Sequence, residues 1–111
     1  MPRSCLMLDL KDDPKLIAEY CEYHRKVWPE IIRSLKDAGI REMEIYRFGT
    51  RLVMVLDTVE GFSFAAKLKA DAENPKVREW EELMSKYQQA LPESKPGEKW
   101  REMECVFRLG D

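Results

Sequence analysis

The chain has 111 residues, of which 44% are hydrophobic and 36% charged, and its formal net charge at pH 7 is -2. This length fits one domain over residues 1–111, and the composition excludes both a disordered polar chain and a membrane span of about 20 apolar residues. Acidic and basic residues alternate along the chain, so no basic stripe is present to bind a nucleic-acid backbone.

Cysteine usage and the N-terminal composition indicate the compartment. Cys5, Cys21 and Cys105 are odd in number and far apart, which argues against a disulfide framework or a zinc site. We interpret them as reduced, buried thiols. The apolar stretch over residues 5–8 is shorter than the core of about 7–15 residues that a signal peptide requires. These features predict a cytoplasmic protein.

The first third of the chain predicts a strand followed by an amphipathic helix. Residues 5–10 form a short apolar run, after which Asp13 offers an N-cap side chain directly before Pro14. Apolar residues then recur at intervals of three and four over residues 16–35, as they do on one face of a helix.

Pro29 interrupts this helical pattern. A proline removes one amide and clashes with the carbonyl four residues earlier, so we expect a kink or short loop beside His24. A second helix over residues 29–38 should follow and end at Gly39, which readily adopts a left-handed conformation.

The remaining elements are predicted from turn residues and periodicity. They are a hairpin of strands 41–48 and 51–58, a helix over 61–72, a helix over 75–91, a loop over 92–99 and a last strand over 103–109. The order β-α-β-β-α-β is typical of an α+β fold with the ferredoxin-like split βαβ arrangement. Because the first and last strands are apolar on both sides, we also expect a homodimer with a cavity between each sheet and its partner.

His24 is the one histidine of the chain, and its ordinary pKa of about 6.5 suits proton transfer at neutral pH. Tyr20 lies one helical turn before it on the same face, and Trp28 lies four residues after it. A hydroxyl, an imidazole and a flat ring together suit a sugar, although each of these side chains alone is equally well explained by core packing.

Other motifs give weaker indications. Trp80 and Glu81 on the predicted helix over 75–91 could supply a stacking ring and a carboxylate, whereas Trp80 alone is more typical of a core position. The alternating Glu42 and Glu44 are interpreted as a solvated strand face. Sequence signatures of a Ser/His/Asp site, a zinc protease, a phosphate loop and a thiol-redox site are all missing.

The segment 20–30 has the pattern Y-x3-H-x3-W-P-E, and it is followed by the Gly39 turn, Ile45-Tyr46, Trp80 and the 106–109 run Val-Phe-Arg-Leu. With these motifs nearly the whole chain resembles the L-rhamnose mutarotase family, a set of small dimeric α/β barrel proteins. The resemblance implies a monosaccharide partner, no metal or cofactor, and interconversion of the α and β anomers of a 6-deoxyhexose. It assigns acid/base catalysis to His24 with Tyr20 as its neighbour.

Two positions depart from the family pattern. Met43 stands where the family has a tyrosine, and Trp80-Glu81 stands where it has two tryptophans. We therefore predict that Trp28, Met43, Trp80 and Glu81 contact the substrate, and that hydroxyl recognition differs from the L-rhamnose pattern. L-Rhamnose and L-fucose both remain open.

Two other functions remain open. A cofactor-free oxygenase or decarboxylase-like enzyme on the same barrel would use the same His-Tyr pair. A non-catalytic binding module would hold His24 as a packed core residue.

Overall fold

A computed structural model describes residues 2–95 and 98–110. In chain order its elements are β1 Arg3–Leu10, α1 Pro14–Tyr23, α2 Pro29–Asp37, β2 Ile40–Phe48, β3 Arg51–Thr58, α3 Phe64–Glu73, α4 Pro75–Ser85, β4 Gln88–Gln89 and β5 Arg101–Glu102. Within these two ranges, every helix is too short or too polar to cross a membrane.

The strands form an antiparallel sheet in the order β2-β3-β1, and β4 and β5 both pair with the outer edge of β1. Leu10 pairs with Gln88 at one end of β1, and Leu6 pairs with Glu102 nearer its other end. The two short strands thus share the position of the fourth strand in a split βαβ sheet. The predicted α+β, ferredoxin-like fold is confirmed.

Helices pack on one face of the sheet because alternate strand residues point to opposite sides. On β1, Leu6, Leu8 and Leu10 are buried, whereas Cys5 and Met7 on the opposite face are half-buried. The main core cluster joins Leu10 to buried side chains of α1, α2 and α4, namely Tyr20, Ile31, Val77, Trp80 and Met84. One face of the sheet therefore forms the core, and the other is left without a helix.

Local signals place the helices as the sequence predicts. The Asp13 side chain accepts hydrogen bonds from the amides of Lys15 and Leu16, which fixes the start of α1. Gly39 follows α2 with a φ of 98°, and a Cβ atom there would lie 2.8 Å from Cγ2 of Val59. Glycine is thus required for the turn from α2 into β2 on two grounds.

The prediction for the second half of the chain is partly wrong. Helix α4 ends at Ser85 instead of residue 91, because Gln88 and Gln89 pair with β1. The strand predicted over 103–109 is wrong: β5 lies just before it at Arg101–Glu102, and within the predicted range the pairing continues only as a backbone bond of 2.7 Å from Met103 N to Cys5 O. Met103 lies opposite Cys5 in this register, and β1 continues for only two residues beyond Cys5, to Arg3. Among the described residues, the rest of the predicted strand therefore has no partner strand.

Two smaller expectations also change. Helix α3 begins at Phe64 instead of residue 61, because the Ser63 side chain caps it by accepting from the Ala66 amide. All three cysteines are free, but Cys105 is exposed, so the prediction of a buried thiol is wrong there. Cys105 lies in the chain beyond β5, where no strand pairing buries it.

Candidate active site

A cavity of about 1050 Å³ lies between the helix-covered face of the sheet and the helices. Of the six predicted site residues, five line it: Tyr20, His24, Met43, Trp80 and Glu81. Residues of a single chain line this cavity, and the expected cavity between each sheet and its partner stays a prediction. The apolar stripe of α1 turns Tyr20 and His24 towards the covered face, which places them inside the chain.

His24 is held at the end of α1 by hydrogen bonds from its backbone and its side chain to the preceding turn. Its backbone N–H donates to the Tyr20 and Cys21 carbonyls, and its Nδ1 lies 2.9 Å from the Tyr20 carbonyl oxygen. Because a carbonyl only accepts, Nδ1 carries the proton of the neutral ring and Nε2 carries the lone pair. Burial lowers the pKa of His24 below 6.5, and the bond to Tyr20 offsets part of that shift. The imidazole is therefore neutral at pH 7 and able to accept a proton.

Tyr20 places a phenol beside this imidazole. The two ring centroids are 4.4 Å apart with the planes tilted by 36°, and Tyr20 itself is almost fully buried. Burial raises the pKa of Tyr20 to about 12, and hydrogen bonding to the Gln88 side chain works against that rise. The hydroxyl thus stays protonated at neutral pH and serves as a donor.

Two tryptophans flank the histidine. Trp80 on α4 meets His24 edge to face with a centroid distance of 5.6 Å, and Trp28 packs against Trp80 at 5.1 Å. Trp80 lines the cavity, whereas Trp28 stands behind it and does not belong to the described lining. Trp80 therefore serves the core and the cavity at once, and Trp28 orients its ring.

The two positions that depart from the family pattern, Met43 and Glu81, lie on different elements that line the cavity. Met43 on β2 points to the covered face and packs beside the cluster of Leu6, Ile40 and Leu56. Glu81 follows Trp80 on α4, and Lys99 Nζ lies 3.2 Å from its Oε2 atom and 3.1 Å from its carbonyl oxygen. At the position where the family pattern has a second tryptophan, this chain thus has a carboxylate paired with a lysine.

Sequence reasoning missed the cavity residues that follow α4, among them one glutamine, one lysine and one tryptophan. Gln88, Lys99 and Trp100 all line the cavity. A glutamine in a predicted helix and a lysine in a predicted loop carry no local signal of such a role. Their positions result from pairing with β1, which is distant in sequence.

Acidic and thiol side chains are dispersed. Across residues 2–95 and 98–110, no group of three or more His, Cys, Asp or Glu side chains is arranged to hold a metal ion. The neutral imidazole of His24 and the protonated phenol of Tyr20 can transfer protons and form hydrogen bonds at the cavity.

Known proteins are similar in sequence to most or all of this chain. Residues 3–109 match the L-rhamnose mutarotase family. An L-fucose mutarotase of Xanthomonas campestris pv. campestris is 50% identical over 113 residues, covering 100% of this chain and 90% of that protein. An L-rhamnose mutarotase of Acidiphilium cryptum is 31% identical and covers 76% of this chain and 79% of its own length.

A solved structure gives the same fold. The L-rhamnose mutarotase of Formosa agariphila superposes with a TM-score of 0.72 at 24% identity, and the match covers 99% of this chain and all of that one.

Proposed function

The chain belongs to the L-rhamnose mutarotase family, and we propose that this isomerase interconverts the α and β anomers of L-fucose through proton transfers at His24 and Tyr20. The observation that carries the proposal is the pairing of a neutral imidazole with a protonated phenol inside one cavity. The 50% identity with an L-fucose mutarotase supports the choice of sugar.

Ring opening needs one proton removed and one delivered. In the proposed mechanism Nε2 of His24 takes the proton of the anomeric hydroxyl, and the Tyr20 hydroxyl gives a proton to the ring oxygen as the C1–O5 bond breaks. The open aldehyde turns about the C1–C2 bond. The hydroxyl at C5 then adds to the other face of the carbonyl, returning one proton to Tyr20 while His24 returns the other to O1.

The cavity edges support L-fucose over L-rhamnose. These sugars differ in hydroxyl configuration, so they need hydrogen-bonding partners at different points around the ring. Compared with the family pattern, Met43 removes a phenol and Glu81 adds a carboxylate to the lining. A site that hydrogen-bonds particular hydroxyls disfavours analogues that leave its polar groups unpaired.

The test is NMR exchange between anomeric proton signals of L-fucose, L-rhamnose and other monosaccharides. We expect L-fucose to exchange fastest, and His24→Ala to lose about 10²–10⁴-fold of the acceleration. Arg25→Ala is the matched control, because Arg25 is the exposed next residue. Spontaneous rates for every sugar would overturn the enzyme, faster L-rhamnose exchange would overturn the substrate, and a fully active His24→Ala would overturn the mechanism.

The uncovered face of the sheet supports a homodimer. It carries Tyr46 and Phe48, which are 56% and 90% exposed, beside half-buried Val53 and Val55. Beyond β5 the chain exposes further apolar side chains, including Phe107 at 77%. Large exposed apolar patches are typical of association surfaces. Analytical ultracentrifugation should give twice the 13.1 kDa chain mass, and Phe48→Glu should shift it to the monomer.

A further inference from the structure

We propose that Gln88 reads one hydroxyl group of the sugar through its side-chain amide oxygen, and so acts as a specificity-determining residue. This inference rests on the proposed function, since it names a contact at the same cavity. No motif of the sequence points to Gln88, which the helical pattern had placed in α4.

Strand pairing aims Gln88 into the cavity. Gln88 pairs with Leu10 and Gln89 pairs with Asp9 in the antiparallel ladder between β1 and β4. Residues opposite each other in such a ladder point to the same face, so Gln88 joins buried Leu10 on the covered face. The backbone bond from Lys11 N to Tyr87 O, 2.9 Å long, fixes this register.

The two ends of the Gln88 amide have different surroundings. The amide forms a hydrogen bond with the Tyr20 hydroxyl, and because Oε1 has no partner among the described residues, the nitrogen, which is the donor of this side chain, makes that bond. Its Oε1 atom is buried and is the one such side-chain atom without a partner among residues 2–95 and 98–110. The amide thus supports Tyr20 on one side and presents an acceptor on the other.

The chemistry of this acceptor selects its ligand. A buried carbonyl oxygen without a donor is unfavourable, and a donor that enters the cavity relieves this. The hydroxyls of a sugar are such donors. In the proposed mechanism the anomeric hydroxyl and the ring oxygen face His24 and Tyr20, so the hydroxyl that faces Gln88 is one of those on C2, C3 or C4.

The test combines a change in the protein with a change in the sugar. Values of kcat and KM for anomer exchange are measured for wild type and Gln88→Leu with L-fucose and its 2-, 3- and 4-deoxy analogues. We expect Gln88→Leu to lower kcat/KM for L-fucose about tenfold, mainly through KM. Loss of the bond to Tyr20 lowers kcat/KM to the same extent for all four sugars, so the one deoxy analogue that lacks the hydroxyl facing Oε1 should lose clearly less than L-fucose.

Controls separate this contact from a structural role. Gln89→Leu changes the neighbouring residue on the opposite face and should leave all four sugars unchanged. If Gln88→Leu fails to give a cooperative circular dichroism melt, Gln88→Met replaces it, since it keeps the length without the acceptor. An equal loss for all four sugars, or no loss for L-fucose, would overturn the inference while leaving the proposed function intact. Spontaneous rates with wild type would instead overturn the proposed function itself.

Discussion

The cavity is bounded by two regions that are held in place in different ways. The helical wall, made of Tyr20, His24 and Trp80, lies on two helices that begin at the capping side chains Asp13 and Asn74. Its three side chains contact one another through ring distances of 4.4 and 5.6 Å. Capping and aromatic packing both stabilise this wall locally.

The return segment, residues 86–95 and 98–102, runs from the end of α4 back to the edge of β1. It is tied to β1 by two strands of two residues each, and Lys99 bridges to Glu81 on the surface. Few paired backbone groups and an exposed ion pair make such a segment open at a lower free energy than packed helices. Proton transfer needs fixed geometry, and its groups lie on the helical wall. The proposed hydroxyl contact of Gln88 lies on the return segment, which is held in place less firmly.

Removing an indole from each region should show the difference most strongly. Trp80 is 6% exposed and packs against His24 and Trp28, so we expect Trp80→Ala to lower the free energy of unfolding by about 3–5 kcal/mol. Trp100, on the return segment, is only half-buried, and Trp100→Ala should cost less. Urea unfolding measures both. Equal losses would mean that the two regions are held equally well.

Tyr20→Phe should separate chemistry from packing on the helical wall. The variant keeps the ring against His24 and removes the proton that the mechanism delivers to the ring oxygen, so we expect about 10²-fold slower anomer exchange. The melting temperature should fall only modestly, because the apolar contacts remain while one hydrogen bond to Gln88 is lost. A variant as fast as wild type would show that another group supplies this proton.

The pH dependence of kcat/KM tests His24, which also belongs to the helical wall, and the expected effect is smaller. The lowered pKa of His24 means that the ring becomes protonated in the folded enzyme only below pH 6.5. We therefore expect kcat/KM, corrected for the spontaneous rate, to be nearly constant from about pH 7.5 to 9 and to fall tenfold per unit below the shifted pKa. An acid limb centred at or above pH 6.5 would contradict the burial of His24.

The same shift links pH to stability. Because the unfolded chain takes up a proton on His24 near pH 6.5 and the folded chain does so only at lower pH, the unfolded state binds more protons between these values. This contribution is present above about pH 6.5 and is lost as pH falls through the shifted pKa. Denaturant unfolding of wild type and His24→Ala between pH 5 and 8 should show it as a slope that the variant lacks.

The helical wall could be predicted from the sequence because its signals are local. An aspartate before a proline marks the start of α1, and a four-residue spacing puts Tyr20 and His24 on one face. The same holds for the β2-β3 hairpin, whose strands Ile40–Phe48 and Arg51–Thr58 lie within one residue of the predicted ranges.

The return segment could not be predicted because its conformation is set by β1, about 80 residues away in the chain. Residues 86–91 continue an apolar helical period, yet Gln88 and Gln89 gain more from the free edge of β1 than from another helical turn. The extent of β5 likewise depends on where β1 begins. Neither the pairing of Gln88 and Gln89 with β1 nor the extent of β5 can be predicted from the residues of the segment itself.

The smallest predicted effect concerns how the return segment is fastened. Lys99 and Glu81 form its ion pair with α4, but their side chains are 33% and 48% exposed, so water screens the attraction. We expect Lys99→Met, which keeps the length of the apolar stem, to lower the free energy of unfolding by less than about 1 kcal/mol. Hydrogen exchange at the amides of β5 should then accelerate by less than about fivefold, since 1 kcal/mol corresponds to that factor. A larger acceleration confined to the return segment would show that the ion pair, and not strand pairing with β1, holds this side of the cavity closed.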